Sequence, residues 1–326
     1  MVTRRGILSG AAGLGAVTVM GGRAFSQTYP DKTIRIIVPG SAGGPTDVMA
    51  RLMAQHMQVA LGQSIVVDDQ PGGAGNVAAR MVATAAPDGY MLLFCNTSIM
   101  ATIPAVAKKP VYDPVKDFAP VAKVSQSEQL LVVHPSVPVN TLAEFIAYAK
   151  ANPGKLNCAA TGVGGLPHLV AEYFKAKAGV DFSIIPYKGG GDSLTATLGG
   201  QVQCTFETTT ILLPHIRDGK LKGLAVTSEV RNPQAPEIPT MMEAGLAGYV
   251  APSFNGVVAP AATPAAVINK LNATINDILR KPEIQADIAK LGGTVNIGSP
   301  QEFATFISRE ATRWREVADA GNIKVE

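Results

Sequence analysis

The sequence predicts an α/β protein of two lobes, each a mostly parallel sheet flanked by helices. Three observations predict it. Short apolar runs alternate with amphipathic stretches in two successive series, as strand–helix units of a parallel sheet do. About 300 residues remain after the amino-terminal segment, enough for two lobes of about 150 each. Glycine-rich turns, PGSAGGPTD, ATGVGGLP and YKGGGD, follow predicted strands in both series.

The first 26 residues read as a cleavable export signal. Arg4 and Arg5 precede a weakly apolar run from Gly6 to Met20, and Ala24-Phe25-Ser26 supplies a small-x-small site before Gln27. The run is short of the ~20 apolar residues of a membrane span. The order Thr3-Arg4-Arg5-x-Ile7-Leu8 resembles a twin-arginine signal. No later segment is long and apolar enough to span a bilayer, so a soluble, periplasmic mature chain is expected.

The first series opens with a buried strand, Thr33 to Pro39. The helix after it places Val48, Met49, Leu52, Met53 and Ala60 on one face and ends at Gly62. Ser64 to Asp69 is a strand, Asn76 can cap a helix through Ala85, and Tyr90 to Cys95 is a third strand. The second series starts at Gln129. Thr141 and Glu144 are spaced as a capping box for a helix to about Ala151. Strands at LNCAA, FSIIPY, VQCTF and GLAVT then alternate with helices at Pro167 to Ala178, Ser193 to Leu198 and Ile211 to Arg217.

Beyond Ser228 a proline- and glycine-rich stretch reads as loop, followed by one strand, Phe254 to Pro260, and three helices. One strand is too little for an independent sheet, so this part is expected to complete the first lobe. The expected division is 27–126 plus 228–326 for lobe 1 and 127–227 for lobe 2. The chain would cross twice, near Ser125–Glu128 and near Thr227–Ser228, with a cleft between the lobes.

The glycine turns carry the chemistry. In PGSAGGPTD, Pro45 falls at the first helical position with Gly43-Gly44 before it. First-turn N–H groups lack intrahelical partners and carry the positive end of the helix dipole. Glycine lets a ligand approach the backbone, which makes this an anion cradle. Asp47 stands near its rim. The second lobe repeats the device with Thr161, Gly162, Gly164 and Gly165, and His168 lies in the first turn of the helix that follows. Glu207, after strand VQCTF, is placed to accept a ligand hydroxyl or ammonium, or to cap the next helix.

A nucleotide phosphate fits poorly. The P-loop pattern is absent, and GVGGLP lacks the spacing of the dinucleotide fingerprint. A carboxylate needs only two or three N–H donors and a hydroxyl, so no cofactor and no metal are expected. A net charge of +3, with no basic stripe interleaved with aromatics, argues against nucleic acid. Cys95, Cys158 and Cys204 sit in apolar runs as buried thiols; a Cys158–Cys204 bridge is the alternative. None of the four histidines has a nucleophile motif beside it, so no catalysis is expected.

At these motifs the chain resembles the periplasmic solute-binding receptors of tripartite tricarboxylate transporters, the Bug or TctC-like family. The residues that carry the likeness include YPDKTIRIIVPGSAGGPTDVMARLMA, QPGGAGNVAARMVATAAPDGYMLLF, HPSVPVNTLAEFIAYAKANPGKLNCAATGVGGLPHLVAEYF and IPYKGGGDSLTATLGGQVQ. LPHIRDGKLKGLAVTS and APAATPAAVINKLN extend it. The resemblance implies a two-lobed Venus-flytrap fold of the type II periplasmic-binding-protein class. It also implies a monomer that takes a small carboxylate between its lobes for membrane transporter subunits.

Carried over by the same resemblance, Ser41, Ala42, Gly43, Gly44, Thr46 and Asp47 would face Thr161, Gly164, Gly165 and His168. Asn96, Thr97 and Tyr187 would line the cleft, and the segment Ser253-Phe254-Asn255 would add specificity. Two departures from the family pattern concern the distal part of the ligand. Gly40 stands where an aromatic is usual, and Glu207-Thr208-Thr209 where Asp-Asn is common. Competing expectations are a sensory receptor with the same fold, and an exported enzyme acting on a carboxylate.

Overall fold

The computed structural model describes residues 29–40, 42–72, 75–187, 189–321 and 323–324. The expected export signal, Ser41 and Lys188 lie outside the described residues. No described helix is long and apolar enough to cross a membrane.

The first sheet begins with β1 (Ile34–Val38), α1 (Pro45–Leu61), β2 (Ile65–Asp69), α2 (Asn76–Ala83) and β3 (Met91–Asn96). A π-helical turn, Ser98–Thr102, runs into α3 (Ile103–Val106), and the long strand β4 (Phe118–Ser127) follows. The second sheet is built from β5 (Gln129–Val133), α4 (Leu142–Ala151), β6 (Asn157–Thr161), α5 (Leu166–Ala178) and β7 (Ser183–Tyr187). It closes with α6 (Gly190–Leu198), β8 (Cys204–Thr208), α7 (Thr209–Arg217) and β9 (Lys222–Val226). The chain returns with β10 (Ser253–Pro260), α8 (Ala265–Leu279), α9 (Pro282–Lys290), β11 (Thr294–Val295) and α10 (Pro300–Ala320).

Strand order is β11-β4-β10-β3-β1-β2 in one sheet and β7-β6-β8-β5-β9 in the other. The sheets are mixed rather than mostly parallel. β1 pairs parallel with β2 and β3, but β10 runs antiparallel to both β3 and β4. β6 is parallel to β7 and β8, while β5 is antiparallel to β8 and β9. The antiparallel strands are those next to the crossings, where one strand leaves a sheet directly for the other: β4 and β5 are separated by Glu128 alone.

Local chemistry explains the helix ends. Gly62 closes α1 in the left-handed region at φ 65°, its N–H returning to Gln58 O. Thr141 accepts the Glu144 N–H at 3.2 Å, and the Glu144 carboxylate accepts the Asn140 N–H at 2.6 Å. α2 is capped by Gly75, so Asn76 is its first residue and not its cap. The buried face of α1 is Met49, Ala50, Met53, Ala54 and Met57. Val48 and Ala60 are exposed, because the i, i+4 row from Met49 sits squarely on the sheet and turns them outward.

Two segments sit differently from expectation. Residues 228–251 are loop, as read, but they pack on the second sheet. Met241 N–H bonds Val226 O and Ala251 N–H bonds Thr227 O, each at 2.9 Å. Tyr249 and Leu246 enter the second lobe's core with Phe145 and Phe174. The return to the first sheet is therefore at β10, not at Ser228. α10 spans both lobes: Phe303 and Ile307 pack with Phe254, while Trp314 and Ala318 pack in the second lobe's core. Cys158 and Cys204 are neighbours across β6 and β8, and all three cysteines are buried free thiols.

Candidate functional site

The first glycine turn leaves the carboxyl end of β1. Ala42 and Gly43 are exposed and Gly44 half-buried. Gly43 sits at φ 78°, and a Cβ built there meets nothing within 4 Å, so this backbone borders open space. Pro45 opens α1, and Val48 is the first N–H to find an intrahelical acceptor, Gly44 O at 2.9 Å. Asp47 is turned inward, 3% exposed, and accepts the Gly43 N–H at 2.7 Å. Its other oxygen pairs with Arg51 at 2.6 Å, and Arg51 reaches Asp69 at 2.6 Å. Burial alone would raise the Asp47 pKa, but the Arg51 contact and the Gly43 amide bring it below its usual value. Asp47 shapes the turn from behind.

Thr46 accepts a hydrogen bond from Asn96 Nδ2 at 3.3 Å. Asn96 ends β3, and its Oδ1 accepts the Ile99 N–H at 3.1 Å, starting the π-helical turn. Two expected cleft residues are scaffold instead. Thr97 is buried and accepts the Phe254 N–H at 2.8 Å, tying β10 to the end of β3. Phe254 is fully buried, with Phe303 and Phe306 edge-on at 5.8 and 5.1 Å. Strand alternation sends its ring into the core and leaves Ser253 and Asn255 half-buried on either side.

The second turn leaves β6. Gly162 N–H bonds Tyr187 O at 3.0 Å, joining the ends of β6 and β7. Gly164 N–H is held by His168 Nδ1 at 3.0 Å. Burial of that imidazole holds its pKa below the usual value, which favours the neutral ring the contact needs. Thr161 donates its hydroxyl to Glu207 in a short hydrogen bond. Glu207 is 5% exposed, and burial raises its pKa, against the pull of Thr161 and the Thr208 amide. A Cβ on Gly190 would lie 3.1 Å from Glu207 Oε2, so this carboxyl also abuts the start of α6. The half-buried Tyr187 ring leans on Ala159, Ala196 and Val202.

One contact joins the two turns. Leu166, the first residue of α5, donates its N–H to Ser98 Oγ at 3.3 Å. Ser98 is two residues beyond Asn96, which bonds Thr46 at the start of α1. The amino ends of α1 and α5, one from each lobe, are thereby linked through a single polar segment. Ser98 is not among the residues singled out from sequence, although the polar run Asn96-Thr97-Ser98 at a strand's carboxyl end is a usable signal. Among the described residues no group of three or more His, Cys, Asp or Glu is arranged to hold a metal. In the two turns the Gly43, Gly164 and Leu166 N–H groups are taken within the protein, by Asp47, His168 and Ser98.

Comparisons with known proteins agree with this fold. The profile of the tripartite tricarboxylate transporter family receptor matches residues 49–323. Protein BugT of Bordetella pertussis is 35% identical over 306 residues, covering 92% of this chain and 93% of that protein. Rpa4515 of R. palustris, solved with adipate, is 34% identical with a TM-score of 0.82, over 91% of this chain and 99% of that one. MatC from Rhodopseudomonas palustris, solved with bound malate, is 32% identical with a TM-score of 0.78, over 89% and 99%. The two solved relatives share the two-lobed fold. The chain belongs to the family of tripartite tricarboxylate transporter receptors.

Proposed function

We propose that the protein is an exported, monomeric solute-binding protein that closes on a small carboxylate and presents it to a tripartite tricarboxylate-type membrane transporter. The observation that carries this reading is the polar link from Thr46 through Asn96 and Ser98 to Leu166, which brings the two helix starts to one place. One ligand carboxylate between them would take N–H groups from both lobes. Binding then favours the closed state by the difference in its affinity for closed and open forms. Thr46 and the Gly44 amide in one lobe, with the first turn of α5 in the other, are assigned to the carboxylate. The Gly43, Gly164 and Gly165 N–H groups and the Thr161 hydroxyl are taken by Asp47, His168, Gly162 and Glu207, and line the site rather than donate to the ligand. Asp47, His168 and Glu207 hold those turns in shape, and Glu207 borders the distal part of the ligand.

No chemistry on the ligand is assigned. Periplasmic location follows from reading the amino-terminal residues as an export signal. Thermal-shift titration of the purified mature chain with adipate, malate and other small carboxylates is the test, with mass spectrometry of any co-purified acid. A saturable rise in Tm with at least one carboxylate, without turnover, is expected. No stabilisation by any of them would refute the reading.

A further inference from the structure

Away from the cleft, a cavity of about 270 Å³ opens between β4, the β11–α10 connection and the start of α10. Lys123, Phe303, Phe306, Ile297, Ser299 and Glu302 line it. Lys123 is unusual: it lies mid-strand on β4, opposite Gly256, and is only 8% exposed. Its Nζ donates to Gln126 Oε1 at 2.6 Å and stands 3.7 Å from the centre of the Phe306 ring. An ammonium has three donors, and the amide oxygen of Gln126 takes one. The buried carboxylate of Glu310 on α10 is instead taken up by Arg313 at 3.2 Å and Arg309 at 3.6 Å. The Arg309 guanidinium also lies 5.2 Å from the same Phe306 ring. A buried cation is thus held by one neutral acceptor and an aromatic face, beside a second cation and an empty volume.

We propose that this cavity is a second binding site, for a small monoanionic acid with an apolar body. The ligand carboxylate would pair with Lys123 Nζ, and its apolar part would lie against Phe303, Phe306 and Ile297. Burying an ammonium is costly unless it is paired, and an anion drawn into the cavity removes that cost. A second negative group on the ligand would meet Glu302 at the rim, whose carboxylate is already committed to Ser299 N–H and Oγ at 2.7 and 2.9 Å. That disfavours dicarboxylates. The site differs in kind from the cleft, since it uses a charged side chain and aromatic walls where the cleft uses backbone amides, and it shares no residue with the cleft.

Burial and three charged groups set the charge on Lys123. Burial above all, with Arg309, pushes its pKa down against the pull of Glu310 and Glu229, to a net value of about 8. Binding of a monoanion should therefore weaken as pH rises past about 8, where the ammonium is lost.

The test is titration of the full mature chain with benzoate, followed by NMR of the lysine side chains, with and without adipate. Benzoate is expected to shift the Lys123 signal whether or not adipate is present. Lys123→Met should weaken benzoate binding about tenfold or more, as loss of one charge-assisted contact does, and leave adipate binding unchanged. Should that variant fail to fold, Phe306→Ala keeps the ammonium, removes a wall and should also weaken benzoate. Benzoate that leaves Lys123 unperturbed, binds Lys123→Met or Phe306→Ala as tightly as wild type, or is displaced by adipate overturns the proposal.

Discussion

Gly43 and Gly62 form a matched pair at opposite ends of α1. Both have positive φ, 78° and 65°, and a Cβ at either meets nothing within 4 Å. Alanine at either position should cost only the backbone penalty of the left-handed region, roughly 1–2 kcal/mol. For a chain of this size that is a fall of a few degrees in Tm, similar for both. Their effects on ligand should part. Helix α1 has 17 residues and so separates them by about 25 Å. The space beside Gly43 is the space assigned to the ligand, whereas Gly62 faces solvent at the far end. A methyl group at position 43 would fill the space beside the turn and hold the ligand off the backbone, a loss of about tenfold or more in affinity. Thermal unfolding of the ligand-free variants, paired with calorimetric titration of adipate, separates the two effects. Gly43→Ala should lose both stability and affinity, and Gly62→Ala only stability. Equal affinity in the two variants would refute the reasoning.

His168→Ala removes the acceptor of the Gly164 N–H. It should cost about 1 kcal/mol and weaken adipate, with partial rescue by His168→Gln, measured by unfolding and calorimetry. Because burial holds the folded-state pKa of His168 below 6.5, the unfolded chain binds the proton more readily. Its contribution is full above pH 6.5 and is lost as pH falls through the lowered pKa, so wild type should lose this increment on acidification and His168→Ala should not. Glu207 has the opposite sign: its folded-state pKa is raised above 4.5, so its contribution falls as pH rises from there through the raised value. Glu207→Gln should flatten that slope in urea denaturation run across pH. Phe254→Ala should destabilise by about 3–5 kcal/mol, as emptying a packed aromatic site does, with adipate affinity of the folded protein unchanged in calorimetry.

The central strands are legible in the sequence because they are nearly continuous apolar runs: Leu130–Val133 is buried throughout, and Ile34–Val38 is interrupted only by the exposed Arg35. The longest strand is not. β4 contains Pro120, Lys123, Ser125 and Gln126, which read as loop. It tolerates them because its pairing with β10 shifts register beside Pro120, and because Lys123 folds back over Phe306. The glycine turns are legible as chemistry, since Gly43, Gly162 and Gly164 have the positive φ that only glycine adopts easily. What the neighbouring side chains do there depends on strand parity and on contacts far along the chain. Phe254 and Thr97 look like cleft residues by position, yet their parity turns them into the core. The partner of residues 228–251 is equally hidden, because a loop without periodicity carries no sign of which sheet it covers.

The most direct measurement is a titration of the amide-labelled protein with adipate, followed at the backbone resonances of both turns. Signals from Gly43, Gly44 and Thr46 in one lobe and Gly164, Gly165 and His168 in the other should move together along one binding curve. Movement of one set while the other stays fixed, or saturation of the two sets at different adipate concentrations, would mean that no single acid is shared between the lobes.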